Sequence, residues 1–283
     1  MVSHSASLPA FGLIAIGVLA PLTMLLAVAL AQKQGFSIVF DLTLDNFGQI
    51  LARESYLLIL LRSLVIAAVV ALTSVVLAYP VAFFLAFDTR YKFFWLALIT
   101  LPFWSSYLLR IFAWKIILGY DGIINSTLLT TGMIETPLGF LLYNKAAVII
   151  TLIHSWAPFA VLPIFVSLNH ISPQVLQAAT DLGDSQVRRF FRLIVPLSSP
   201  GLLAAFLVVF IPTAGDYITP SLVGGPTGAM IGNVIFLLFA RAQDWPAGAA
   251  MAVIFMLTMS LAASTLVMTY HLLIRWMTGR ADR

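Results

Sequence analysis

Two groups of residues in this chain have types and spacings that suit binding chemistry. The first is Gln177-Ala178-Ala179-Thr180-Asp181-Leu182-Gly183, followed by Arg188, Arg189, Arg192 and Pro196-Leu197. It is a polar, arginine-bearing segment between two long apolar runs. Small residues such as Ala and Gly let a partner's groove come close to the backbone, so the segment suits docking. The second is Asp216 beside Tyr217. A carboxylate next to an aromatic ring suits an ammonium group, through charge pairing and cation–π attraction. Alternatively, Asp216 pairs with Arg110 or Arg62 and holds helices together. Arg110 lies among Trp104, Tyr107 and Trp114, where it either snorkels to a membrane interface or lines a pathway. Trp104 and Tyr107 are the aromatic candidates for solute contact. Arg62 reads as a snorkelling residue, and His154 as a packing histidine.

Other chemistry is missing from the sequence. No G-x-x-x-x-G-K-[S/T] phosphate loop occurs, so the chain is not a nucleotide-hydrolysing subunit. The four histidines, His4, His154, His170 and His271, are scattered and form no H-E-x-x-H pair. There is no cysteine, which excludes disulfides, thiolate metal sites and cysteine nucleophiles. No catalytic residue and no metal site is expected. No dense basic stripe points to nucleic acid.

The elements that position these residues can be derived from composition. Of 283 residues, 61% are hydrophobic and 9% charged, with a mean hydropathy of +1.03. Soluble domains run near ~25% charged, and a water-soluble fold of this size could not hide so much apolar surface. The chain is therefore an integral membrane protein in contact with lipid. Its apolar runs are long and continuous rather than alternating, so the spans are helices. Six are expected, near 10–31, 57–86, 93–117, 146–168, 200–220 and 247–273. Together they make one transmembrane domain over residues 1–283. Ala29-Leu30-Ala31 resembles a cleavage site, but the run before it is long and no Lys or Arg precedes it, so a retained first helix is expected. The prolines Pro80, Pro102 and Pro158 fall inside spans, where helix breaks are tolerated if neighbours satisfy the freed backbone groups.

Three long connections, near 32–56, 118–145 and 221–246, lie on one side. The other side carries the turn with Arg90 and Lys92, the loop 169–199, and a tail with Arg275, Arg280 and Arg283. Basic residues are denser on this second side, which makes it cytoplasmic by the positive-inside rule, with both termini inside.

Within the 169–199 loop, Ser172-Pro173 is a helix start. Val175, Ala178, Ala179 and Leu182 share a face, and Gly183 sits where a glycine allows a left-handed turn. Asp184-Ser185 offers a second N-cap. Val187, Phe190, Phe191 and Ile194 then form an apolar face opposite Arg188, Arg189 and Arg192. Pro196 is expected to close that helix, and Pro200-Gly201 to break the chain before span five. The bland reading of such a pair is an interfacial element lying on lipid.

This loop resembles the cytoplasmic signature of permease subunits of bacterial ATP-binding-cassette importers: Glu-Ala-Ala, three residues, Gly, then about a dozen residues to an apolar-Pro pair. Ala178, Ala179, Gly183 and Pro196 match it, and Gln177 stands where the family usually has Glu. Two further runs, Leu101 to Arg110 and Asp216 to Gly225, are similar to the polyamine-type branch, which also includes relatives for opines and aminoethylphosphonate. The resemblance implies an all-α, six-helix type-I permease fold in the bacterial inner membrane. It implies a second homologous permease, two copies of a cytoplasmic ATPase and a periplasmic solute-binding protein as partners. ATP and Mg would be held by the ATPase, with no cofactor on this chain. Gln177, Ala178, Ala179, Asp181, Leu182, Gly183, Arg188 and Pro196 would face the ATPase. Trp104, Tyr107, Arg110, Asp216 and Tyr217 would line the solute pathway. The other classes to weigh are an ion-coupled secondary transporter, which would call for inverted repeats and midplane ionisable residues, and a non-transporting scaffold subunit.

Overall fold

The computed structural model describes residues 4–35 and 37–278; within its helices the side chains of 4–15, 102, 273 and 276–278 are not described. Arg280 and Arg283 of the tail fall outside the described residues. The chain is helical almost throughout. Four helical stretches are long and apolar enough to cross a membrane: Glu54–Asp88, Lys145–Asn169, Gln186–Ala214 and Trp245–Leu272. Ile16–Ala29 and Ile231–Ala240 are shorter apolar helical stretches.

The chain divides into two compact units, Met1–Leu60 with Ile231–Ala262, and Leu61–Met230 with Ala263–Arg283. The first holds α1 (His4–Ala29), a hairpin of β1 (Gln32–Gln34) and β2 (Ser37–Val39), α2 (Asp45–Leu51), the start of α3 (Glu54–Phe83), α11 (Ile231–Ala240) and the first half of α12 (Trp245–Thr278). The hairpin pairs Gln32 with Val39 and Lys33 with Ile38. Ala29, Ile50, Leu60, Ile231, Val234, Ala249, Ala250, Met251 and Val253 supply this unit's buried core. The connection expected at 221–246 thus contains a helix. Ile231–Ala240 is too short to register as a full span, which is why the sequence pattern does not reveal it.

The second unit contains most of α3, α4 (Lys92–Thr100), α5 (Tyr107–Leu118), α6 (Ile123–Thr130), α7 (Lys145–Asn169), α8 (Pro173–Asp181), α9 (Gln186–Arg189) and α10 (Val195–Ala214). α10 lies along α7. A Cβ on Gly201 would stand 2.4 Å from the Ser167 Cβ and 2.7 Å from the Pro163 carbonyl oxygen, so only glycine fits that crossing. Small residues that let helix backbones approach are the usual glue of membrane helix pairs. Ser198, Ala205, Val209 and Thr213 continue the buried face of α10. The Tyr79 and Ser198 hydroxyls, 3.0 Å apart, join α3 to α10.

Three boundaries depart from the sequence expectation. Pro196 does not close the loop helix, and Pro200-Gly201 does not break the chain: the helix runs without interruption from Gln186 to Ala214. A π-helical turn, Phe190–Ile194, precedes Pro196. That wider turn relieves the clash between the proline ring and the carbonyl four residues back. Pro200 cannot donate to the Pro196 carbonyl, and the Ser199 hydroxyl does so instead at 2.7 Å. Span three is not continuous either. It breaks into α4, a 3-10 turn at Leu101–Trp104 and α5, with Ser106 in extended conformation (φ −58°, ψ 135°). Pro102 removes a backbone donor, and Ser105 and Ser106 compete for helical hydrogen bonds. Span five stops at Ala214, short of residue 220. The Asp216 carboxylate accepts the backbone N–H groups of Ile218 (2.9 Å) and Thr219 (3.4 Å), and so starts a new helical turn that continues as the π-helix Pro220–Gly224.

Candidate functional site

In the 169–199 loop, Pro173 occupies the first turn of α8, behind Ser172. The Ser172 hydroxyl donates to Gln174 Oε1 rather than capping the helix. At the far end, Gly183 has φ +85°, the Gly183 N–H donates to the Thr180 carbonyl (2.9 Å), and the Asp184 N–H to the Ala179 carbonyl (3.0 Å). This pair of bonds is a Schellman cap. Ser185 caps the next helix by accepting the Arg188 N–H at 3.3 Å. Asp184, mostly buried, lies 3.8 Å from the Arg188 guanidinium and 3.7 Å from that of Arg192. Arg189 donates to the Thr180 hydroxyl across the bend. The bend is therefore locked by backbone and side chain together.

Ala179 is buried (6% exposed) and fastens α8 to the protein, whereas Gln177, Ala178, Asp181, Leu182, Gly183, Arg188 and Pro196 are exposed. Leu182 is 87% exposed. The expected face of Val175, Ala178, Ala179 and Leu182 is thus turned outward except at Ala179. The expected face of Val187, Phe190, Phe191 and Ile194 is also divided: Ile194 is buried, while Val187 and Phe191 are exposed. The π-helical turn adds a residue to that repeat and rotates the next turns of the helix by roughly 100°. The loop thus combines a locked bend with exposed Leu182, Val187 and Phe191.

The second group gathers around Asp216, which is 9% exposed. Its Oδ2 accepts the Tyr107 hydroxyl at 2.5 Å and the Thr219 hydroxyl at 2.5 Å, and those two hydroxyls lie 2.9 Å apart. With the two backbone bonds to Oδ1, the carboxylate uses about all four of its acceptor positions. Tyr107 also meets the Trp156 ring, with centroids 6.2 Å apart, and Trp156 stacks near Phe159. Asp216 does not pair with either arginine. Arg62 donates to the Thr227 carbonyl. The Arg110 guanidinium lies over the rings of Phe103 (5.4 Å) and Tyr107 (5.7 Å), and its Nε is buried without a hydrogen-bond partner. Among the described residues the only ion pairs are those of Asp184.

A cavity of about 470 Å³ lies against Arg110, lined by Thr73, Leu77, Trp114, His154 and Pro158 among others. His154 stands edge-on to Trp114, 5.5 Å between centroids. The structure thus brings Tyr107 and Asp216 together, with Arg110 over the Tyr107 ring. Trp104 is 90% exposed on its 3-10 turn and makes no ring contact among the described residues. Tyr217 is partly exposed and is not one of the four donors to Asp216. Thr219 and Trp156 are site residues that sequence reasoning missed. The Asp-x-x-Thr spacing of 216–219 is an N-cap signal that would have found Thr219. Trp156 becomes relevant only once α7 packs beside α5.

A family model described as "Binding-protein-dependent transport system inner membrane component" matches residues 47–278. The chain is 38% identical over 239 residues to the spermidine/putrescine transport system permease protein PotB of Salmonella typhimurium (strain SL1344), covering 84% of this chain and 79% of that one. The same protein of Escherichia coli (strain K12) is also 38% identical, covering 84% and 83%. The fold resembles a chain in the crystal structure of a bacterial alginate ABC transporter in complex with an alginate pentasaccharide-bound periplasmic protein, with a TM-score of 0.71, 15% identity, and coverage of 93% of this chain and 91% of that one. With the exposed loop bend and the helical fold already in place, the chain belongs to the family of binding-protein-dependent transport system inner membrane components.

Proposed function

We propose that this chain is a non-catalytic permease subunit of an ATP-driven importer, moving a polyamine such as putrescine or spermidine across the bacterial inner membrane. The observation that carries this reading is the 38% identity over 84% of the chain to permease proteins of spermidine/putrescine systems. The chain acts as one transmembrane domain with both termini cytoplasmic. It pairs with a second, homologous permease, and two copies of an ATPase dock on the two cytoplasmic loops. A periplasmic solute-binding protein meets the other face, the kind of partner named in the alginate transporter complex. ATP and Mg are held by the ATPase.

The 169–199 loop transmits force. Gln177, Ala178, Asp181, Leu182, Gly183 and Arg188 offer the contact surface, and Ala179 roots it. Because α9 continues through the π-turn into α10, movement of the loop passes directly along one helix to Ala214, two residues before Asp216. ATP binding closes the ATPase pair, the helix bundle rocks between two states, and the cavity opens outward and returns. On the pathway, Asp216 is a carboxylate held by displaceable hydroxyls. An ammonium group that replaces the Tyr107 or Thr219 hydroxyl gains charge pairing and adjacent aromatic faces, with Tyr217 and Trp104 as further aromatic candidates for contact. Such binding is weak enough to permit release.

Arg110 supports a second reading. A guanidinium in a span with no carboxylate partner suits a solute that carries an anionic group, as an opine or aminoethylphosphonate does. Uptake of radiolabelled putrescine by the reconstituted complex, with competition by spermidine, an opine and aminoethylphosphonate, decides between them. Saturable, ATP-dependent putrescine uptake blocked by spermidine is expected. Competition by the anionic solutes alone overturns the polyamine reading and leaves the importer class standing.

A further inference from the structure

We infer that residues 40–44 form a lipid-inserted hook, in the leaflet at the C-terminal end of α1. The segment comes directly after the β1–β2 hairpin and folds back over the end of α1. The Thr43 N–H donates to the Leu30 carbonyl at 2.8 Å, and Asn46 Nδ2 donates to the carbonyls of Ala29 (2.9 Å) and Ala31 (2.8 Å). Three consecutive carbonyls left open by the helix terminus are thereby satisfied. These bonds hold the segment at the level where α1 ends. The other side of the hairpin fixes the same level: Lys33 Nζ donates to the Ala242 carbonyl at 3.0 Å, and Lys33, Gln243 and Trp245 line one small cavity. Trp245 is the first residue of α12, whose Trp245–Leu272 stretch is long and apolar enough to cross a membrane. A lysine and a tryptophan beside two helix ends mark a membrane–water boundary.

At this level Phe40, Leu42 and Leu44 are 70%, 79% and 71% exposed. They alternate with Asp41 and Thr43. Three large apolar side chains held in water by a hydrogen-bonded scaffold would be costly. Their occupant is the bilayer, because the helix whose end they are bonded to is itself exposed and apolar: Ile16, Leu19 and Met24 of α1 are 68%, 58% and 69% exposed. Side chains of this kind reach about 5–10 Å into the headgroup and acyl boundary. The hook anchors the helix end against tilting while the rest of the chain moves.

The absence of cysteine makes the test direct. Single cysteines at Phe40, Leu42, Leu44 and, as a reference, the exposed Gln34 are labelled with an environment-sensitive fluorophore in the complete transporter in nanodiscs. Spin-labelled phospholipid is then added to the lipid mixture. Quenching at 40, 42 and 44 is expected to exceed that at 34 by about two-fold or more, as insertion requires. Equal quenching at all four positions overturns the hook. So does quenching at 40–44 that appears in the isolated subunit and disappears in the assembled complex, because the surface then belongs to a protein partner. Each labelled variant is checked for co-purification with its partners, and one that fails is replaced by the label at a neighbouring member of the three.

Discussion

At the scale of single residues, the candidate site turns on how a buried carboxylate is satisfied. Asp216 is stabilised by four hydrogen bonds rather than by an arginine, and bonds to a charged acceptor are each worth about 1.5–3 kcal/mol. Asp216→Asn keeps the carbonyl oxygen that caps the 218 turn and removes the charge. Uptake of a cationic solute by that variant is expected to fall several-fold, while membrane level and subunit assembly persist, as read by transport assay and co-purification. Loss of assembly would instead make Asp216 a structural cap, and unchanged uptake would remove it from the pathway. The two arginines that the sequence offers as its partners are occupied elsewhere, with Arg62 on a backbone carbonyl and Arg110 on aromatic faces.

At the scale of elements, the loop takes its shape from its bend and α10 its place from close contact with α7. Gly183 has open space around it, but its backbone is left-handed, which costs an ordinary residue about 1–2 kcal/mol. Gly183→Val is expected to insert into the membrane normally and to uncouple ATP hydrolysis from uptake. Gly183→Asn, which tolerates that conformation, should retain coupling. Normal coupled uptake by the valine variant would take the bend out of the mechanism. Gly201 has the opposite character, with a right-handed helical backbone and no space. Gly201→Leu is expected to force α10 off α7 and lower the detergent-solubilised melting temperature by several degrees, because overpacking typically costs about 1–3 kcal/mol. An unshifted melting curve would mean that this crossing is loose.

At the scale of the whole molecule, the orientation in the membrane decides which surface meets which partner. Met133, exposed in the 118–145 connection, and Leu182, exposed in the 169–199 loop, are suitable labelling positions in a cysteine-free chain. A membrane-impermeant thiol reagent on intact cells should modify Met133→Cys and spare Leu182→Cys. The reverse pattern inverts the topology and moves the ATPase surface to the other loops. Asn125, in the same connection as Met133, is fully buried. Its side chain donates to the Gly119 and Leu138 carbonyls and accepts the Leu138 N–H, which ties the connection together.

Membrane residence, the helical class and the bend of the 169–199 loop were legible in the residues themselves, because each rests on local physics. Long apolar runs must bury their backbone polar groups in helices, and a Ser-Pro start with a glycine turn at its end specifies its own caps. The signature around Ala178, Ala179 and Gly183 was legible as a resemblance to a known family. Where helices stop was not. Pro196 and Pro200 carry break signals that the π-turn and the Ser199 hydroxyl absorb, and Asp216 ends a span by capping the next turn. Nor could the partners of Asp216 be read from the chain. Tyr107 stands 109 positions away, and only the packing of α5 beside the turn after α10 makes its hydroxyl, rather than an arginine, the group that satisfies a buried charge.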